Sequence, residues 1–164
     1  KGGVEFIGLT RPMEMADHPY VRYFWATQND RLTALTVFDP MFENNRVIGY
    51  YHNLCRVLQS APHGTNDLIV LEAMRRFQAE GKRVVSLGMS PFAEITNEEY
   101  GDFNPRVDKL FRFMYEHCQI VYPFKGNHFH KRHYRGTHHR SYMASVPELN
   151  IYRVLGVFRA SQIL

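Results

Sequence analysis

The sequence predicts an α+β fold, with a mixed, mainly antiparallel central sheet flanked by helices, built as a single domain over residues 1–164. Three observations predict it. Three runs rich in aromatic and β-branched residues follow one another across short turn clusters. An amphipathic helix and a short apolar strand come next, only two residues apart. The length suits one domain with a full core, and 45% apolar with 22% charged residues places the chain among globular rather than disordered proteins.

The elements follow in order. Val4 to Leu9 is a short apolar run broken by Arg11-Pro12. Tyr20 to Ala26 and Arg31 to Phe38 flank the turn signal Gln28-Asn29-Asp30 and read as a hairpin. Glu43-Asn44-Asn45 precedes a third strand, Arg46 to Leu54, whose Gly49 implies a bulge or a close approach by another element. Thr65 or Asn66 is expected to cap a helix with Ile69, Val70, Ala73, Met74 and Phe77 at helical spacing, and Gly81 ends it. Glu72 and Arg76, four apart, form a surface pair.

The strand Arg83 to Met89 follows at once. Asn104-Pro105 opens a second helix, because a capping side chain precedes a proline at the first helical position. Its apolar stripe is Val107, Leu110, Phe111, Met114 and Cys118. Arg140 to Val146 is expected as a strand and Leu149 to Ala160 as a last helix.

No run approaches the roughly 20 apolar residues of a membrane-spanning helix. The chain opens on Lys1 rather than Met and is expected to be an excerpt of a longer polypeptide. Cys55 and Cys118 have no metal-ligand spacing, and two buried reduced thiols suit a cytoplasmic setting. The net charge of +4 is uneven: Lys125, Lys131, Arg132, Arg135 and Arg140 lie with His128, His130, His133, His138 and His139 in a stretch without an acid. With Phe129 and Tyr134 interleaved it reads as a surface for polyanions. His130 and His133 are three apart, but with no carboxylate or thiolate nearby and five cations around them they are not read as a metal site.

The loop from Ala61 into the first helix has the parts of an anion or carbonyl site. Gly64 allows close approach of the backbone, and the helix N-terminus points amides and positive dipole outward. His63, Gly64, Thr65 and Asn66 are the candidate donor-binding residues, and an ordinary strand-to-helix connection is the competing reading. Asp67, in the first turn, is either a dipole-complementing carboxylate or a holder of a substrate ammonium. No GxSxG elbow accompanies the Ser, His and Asp residues, so hydrolase chemistry is set aside.

Three meandering strands, a loop, a helix, a strand and a further helix suit an N-acyltransferase fold of the GNAT kind. Gly64-Thr65-Asn66 departs from the glycine-rich acyl-CoA fingerprint of that fold. The strand end LGMSPF, the loop and helix APHGTNDLIVLEAM and the segment FKGNHFHKRHYRGTHHRSYMAS together resemble the C-terminal catalytic region of the phosphatidylglycerol lysyltransferases and related aminoacyl-tRNA-dependent transferases. The resemblance runs from about Tyr20 to Val146 and rests on Ala61, Pro62, Gly64, Asp67, Leu87 to Met89, Pro91, Phe124 to Gly126, Lys131, Tyr134, Tyr142 and Ala144. Where the family has proline, tryptophan and glutamate before an arginine, this chain has Gly136, His138, His139 and Ser141, with Arg140 one position early.

The resemblance implies a GNAT-like domain that is the second half of a tandem catalytic region, at the inner face of the membrane. It implies catalytic roles for Asp67 and Lys131, a tRNA or lipid surface at Lys125, Arg132, Arg135 and Arg140, aminoacyl-tRNA as donor, an anionic phospholipid as acceptor, and no cofactor or metal. Two other readings stay open: an N-acyltransferase using acyl-CoA, and a non-catalytic basic module for RNA or anionic lipid.

Overall fold

The computed structural model describes residues 18–96, 104–120, 122–143 and 145–160. Its elements run β1 (Arg22–Gln28), β2 (Arg31–Glu43), β3 (Arg46–Val57), α1 (Thr65–Ala79), β4 (Val84–Ser86), α2 (Pro105–His117), α3 (Phe124–Arg132) and α4 (Ile151–Ala160). The chain divides into two compact units, one of residues 11–88 and one of residues 1–10 with 89–164. The apolar run Val4 to Leu9 lies outside the described residues.

In the first unit, β1, β2, β3 and β4 lie side by side in chain order. The first three are antiparallel and β4 is parallel to β3, so the sheet is mixed and mainly antiparallel as expected. Both hairpin turns are built from residues that tolerate positive φ: Asn29 and Asp30 in one, Asn44 and Asn45 in the other. Such turns match the twist of the strands they join. β2 and β3 outrun the predicted runs at their C-terminal ends, because each finds a partner along its extra length.

Gly49 does both things expected of it. The β2–β3 register shifts between Met41 and Phe42, beside it, and a Cβ on Gly49 would stand 2.0 Å from the carbonyl oxygen of Val84. The parallel β3–β4 contact therefore needs glycine at this point. β4 is shorter than the predicted Arg83 to Met89. Gly88, at φ +77, turns the backbone, and a Cβ there would meet the Tyr51 hydroxyl at 2.9 Å.

α1 covers the sheet with Ile69, Val70, Ala73 and Phe77 buried and Met74 half-buried. Phe77 stacks on Tyr50 at 4.1 Å between centroids and meets Phe24 and Phe38 edge-on at 5.5 and 5.3 Å. Arg22 sits over the rings of Phe24, Tyr50 and Phe77 and pairs with Glu80 at 2.8 Å, which seals this core at the end of α1. The Glu72–Arg76 pair forms at 2.7 Å, and Arg75 joins it at 2.9 Å.

The second unit holds α2, α3 and α4. Asn104 caps α2 by accepting from the amides of Arg106 and Val107, with Pro105 at the first helical position. Val107 and Phe111 of α2 and Val154 and Phe158 of α4 form one buried cluster, with Leu110 and Met114 packed against it. Phe92 stacks on Phe111 at 4.5 Å and leans on Phe124 at 5.5 Å.

One strand expectation is corrected. The described residues of 140–146 form no strand. They are β-rich in composition, yet residues 140–143 are exposed and no sheet edge pairs with them, and composition without a partner does not make a strand. Within the basic stretch Lys125 to Arg140, Phe124–Arg132 forms the helix α3.

Candidate functional site

The loop before α1 turns on Gly64, which occupies the N-cap at φ +85 with nothing near the place of a Cβ. No side chain caps this helix start. Thr65 donates instead through its hydroxyl to the Pro62 carbonyl at 2.6 Å, and Asn66 accepts from the Cys55 thiol at 2.7 Å. The expectation of a Thr65 or Asn66 cap is thus overturned: the Pro62 carbonyl three residues back takes one side chain and Cys55 of β3 the other. His63 and Gly64 are exposed, Thr65 is buried, and Asn66 and Asp67 are half-buried.

Asp67 stands in the first turn, where its charge complements the helix dipole. A shallow, largely apolar depression opens beside the loop between Ala26, Thr27 and Thr33 of the first hairpin and Pro62, Gly64 and Leu68. On the opposite edge, β4 pairs only with Gly49, Tyr50 and Tyr51 of β3. The β3 edge from His52 to Val57 thus runs past the end of β4.

Lys131, on α3, is half-buried. Its Nζ donates to the carbonyl oxygen of Met89 at 2.6 Å, and burial lowers its ammonium pKa to about 8. A hydrogen bond to a neutral carbonyl offsets only part of the cost of desolvating the charge. Asn127, one turn earlier, reaches the same carbonyl at 3.5 Å and the Tyr122 hydroxyl at 3.0 Å. The end of the LGM motif is thereby held on α3.

The basic stretch is less bare than its sequence implies. Lys125 pairs with Glu116, and Arg132 with Glu94 at 3.1 Å. Glu94 lies 38 residues from Arg132, so the local pattern carried no sign of it. Arg135, at φ 51, and Arg140 are exposed. The exposed side of α3 carries Phe129 and Arg132, and His133 follows at its C-cap.

His128 departs from the expected basic surface. It is buried, one turn after buried Phe124 and on the same face, with Glu94 3.5 Å from Nε2. Among the described residues no group of three metal-binding side chains gathers, and His133 Nδ1 lies 2.7 Å from the Phe129 carbonyl oxygen. The thiols of Cys55 and Cys118 are free and half-buried, and burial raises the Cys55 pKa.

His63, Gly64, Thr65, Asn66 and Asp67 thus come together in the first unit, and Lys125, Lys131, Arg132, Arg135 and Arg140 belong to the second. Cys55, Asn127 and Glu94 are contributors that sequence reasoning missed. Met89 is the exception, since the LGM end of the strand had marked it. A sequence profile described as "Phosphatidylglycerol lysyltransferase, C-terminal" matches residues 2–145. No curated protein and no solved structure matches the chain.

Proposed function

The chain belongs to the phosphatidylglycerol lysyltransferase C-terminal family, and from that premise we propose that it transfers an aminoacyl group from aminoacyl-tRNA to a hydroxyl of an anionic phospholipid. The match across residues 2–145 carries this reading. The order β1-β2-β3-α1-β4 and the β3 edge left beyond β4 support a GNAT-like arrangement, in which a donor lies along that edge beside the Gly64 loop. In the full protein this domain acts as the second of two GNAT-like halves, on the cytoplasmic side of a membrane. Among the described residues no helix is long and apolar enough to cross one.

The reaction is a transesterification. The lipid hydroxyl oxygen attacks the carbonyl carbon of the aminoacyl ester and gives up its proton. The tetrahedral intermediate collapses to the new ester, and the tRNA ribose oxygen departs and takes up a proton. Neither a covalent enzyme intermediate nor a cofactor is required.

Within its own unit, Lys131 has the chemistry of a general base, because an ammonium with a pKa of about 8 has a usable neutral fraction near neutral pH. Asp67 suits the positive amino group of the donor. The Gly64 loop suits the developing oxyanion, where amides at a helix N-terminus favour negative charge. Phe129, Arg132, His133 and Arg135 offer stacking and charge to a polyanion.

The test is transfer of a labelled amino acid into phospholipid by the full-length protein charged with aminoacyl-tRNA. Ribonuclease should abolish it. Transfer that survives ribonuclease, or saturable binding of acetyl-CoA in its place, would move the protein to the acyl-CoA-dependent class.

A further inference from the structure

Cys55 is a half-buried thiol that the transferase chemistry does not use, and its placement depends on one irregularity in β3. Tyr50 stacks on Phe77 of α1, and His52 meets Phe38 at 5.3 Å, so both face the helix. Strict alternation would bring Leu54 to that face next. The register instead shifts between Val37 and Phe38: Phe38 pairs with His52 but Val37 pairs with Leu54, leaving Asn53 as an extra residue. A one-residue bulge reverses the facing of everything beyond it. Cys55, opposite Thr36, therefore takes the place under the start of α1 that Leu54 would have held.

Side chains hold both ends of this arrangement. Asn53 Nδ2 donates to Asp39 Oδ2 at 2.6 Å and fastens the bulge across to β2. The hydroxyl of fully buried Thr36 donates to Cys55 Sγ at 3.6 Å, and the thiol donates to Asn66 Oδ1 at 2.7 Å. Asn66 is two residues past Gly64 and adjacent to Asp67. A continuous chain of donors thus runs from the floor of the sheet to the first turn of α1.

We infer that Cys55 is a positioning residue for the donor loop: through Asn66 it fixes the turn that presents the Gly64 amides and Asp67 to the aminoacyl donor. The role rests on the transferase reading for its function, though not for its geometry. Burial keeps the thiol protonated, as a donor to Asn66 must be, and argues against a nucleophilic role. Serine keeps one donor and one acceptor in the same place, whereas alanine keeps neither.

The experiment uses the full-length protein with Cys55→Ala, Cys55→Ser and Asn66→Ala. Hydrogen exchange of the amides of residues 64–67 should quicken in Cys55→Ala and return toward the wild-type rate in Cys55→Ser. Alkylation of Cys55 by iodoacetamide, in a Cys118→Ser background, should quicken in Asn66→Ala. Cys55→Ala should lose roughly tenfold to a hundredfold in kcat/KM for aminoacyl-tRNA, with the melting temperature near that of Cys55→Ser, as expected when a reacting group is misplaced rather than removed. Unchanged exchange in Cys55→Ala, or unchanged alkylation in Asn66→Ala, would overturn the positioning role. A wild-type protein with no ribonuclease-sensitive transfer would reject the transferase reading, and the exchange and alkylation results would still decide the tether.

Discussion

Lys131 donates through Nζ to the carbonyl oxygen of Met89 at 2.6 Å, so an ammonium on α3 is held by a neutral partner. Burial brings its pKa to about 8 from an ordinary value of 10.5. Between those values the unfolded chain binds more protons than the native one, so stability should rise with pH across that window. Below about pH 8 both states are protonated, and the cost of burying the charge is present in full. Urea midpoints from below pH 8 into the ordinary lysine range should therefore climb in the wild type relative to Lys131→Met. Transfer activity should rise over the same lower limb, and Lys131→Arg, which stays charged, should lose that limb.

Gly64 supplies a left-handed turn that only a few residues enter cheaply. At φ +85 with open space around its Cβ position, Gly64→Ala meets strain and no collision. The expected loss is about 1–2 kcal/mol. Gly64→Asn should lose less, because asparagine visits this region. Thermal unfolding of the two variants measures the difference, and a Gly64→Ala as stable as the wild type would contradict the left-handed cap.

Gly49 is constrained by space instead. A Cβ 2.0 Å from the Val84 carbonyl oxygen and 2.5 Å from its Cγ1 has to push β4 away from β3. Gly49→Ala should cost about 3 kcal/mol, the upper part of the usual range for overpacking. Hydrogen exchange should show lost protection at Val84 to Ser86 first.

The parts of the fold legible in sequence are those set by local backbone chemistry. Asn29-Asp30 and Asn44-Asn45 announce positive-φ turns, and Asn104-Pro105 announces a helix start, because the residues themselves satisfy the local demand. What escaped depends on partners distant in the chain. Asn66 looks like a cap until Cys55 of β3 claims its side chain. His128 looks like part of a basic face until the phase of α3 turns it inward beside Phe124. The bulge at Asn53 is invisible because register belongs to a pair of strands and not to one. Among the candidate residues, the Gly64 loop and Asp67 in one unit and Lys131 in the other were nameable from motifs, whereas the contacts of Glu94 and of the Met89 carbonyl exist only once the second unit has folded.

Glu94 sets the charge on the outward side of α3. Its carboxylate pairs with Arg132 at 3.1 Å and lies 3.5 Å from Nε2 of buried His128. Glu94→Gln removes one negative charge and releases the Arg132 guanidinium, so tRNA affinity should increase. If Arg132 then engages a phosphate, the slope of log K against log salt should steepen by about 0.7–0.9, the contribution of one neutralised phosphate. Arg132→Gln should move both quantities the other way. Filter binding across a salt series reads them directly. Equal slopes for the wild type and both variants would place the nucleic acid on another surface, because a pair this close cannot be opened beside a phosphate without changing the count of released ions.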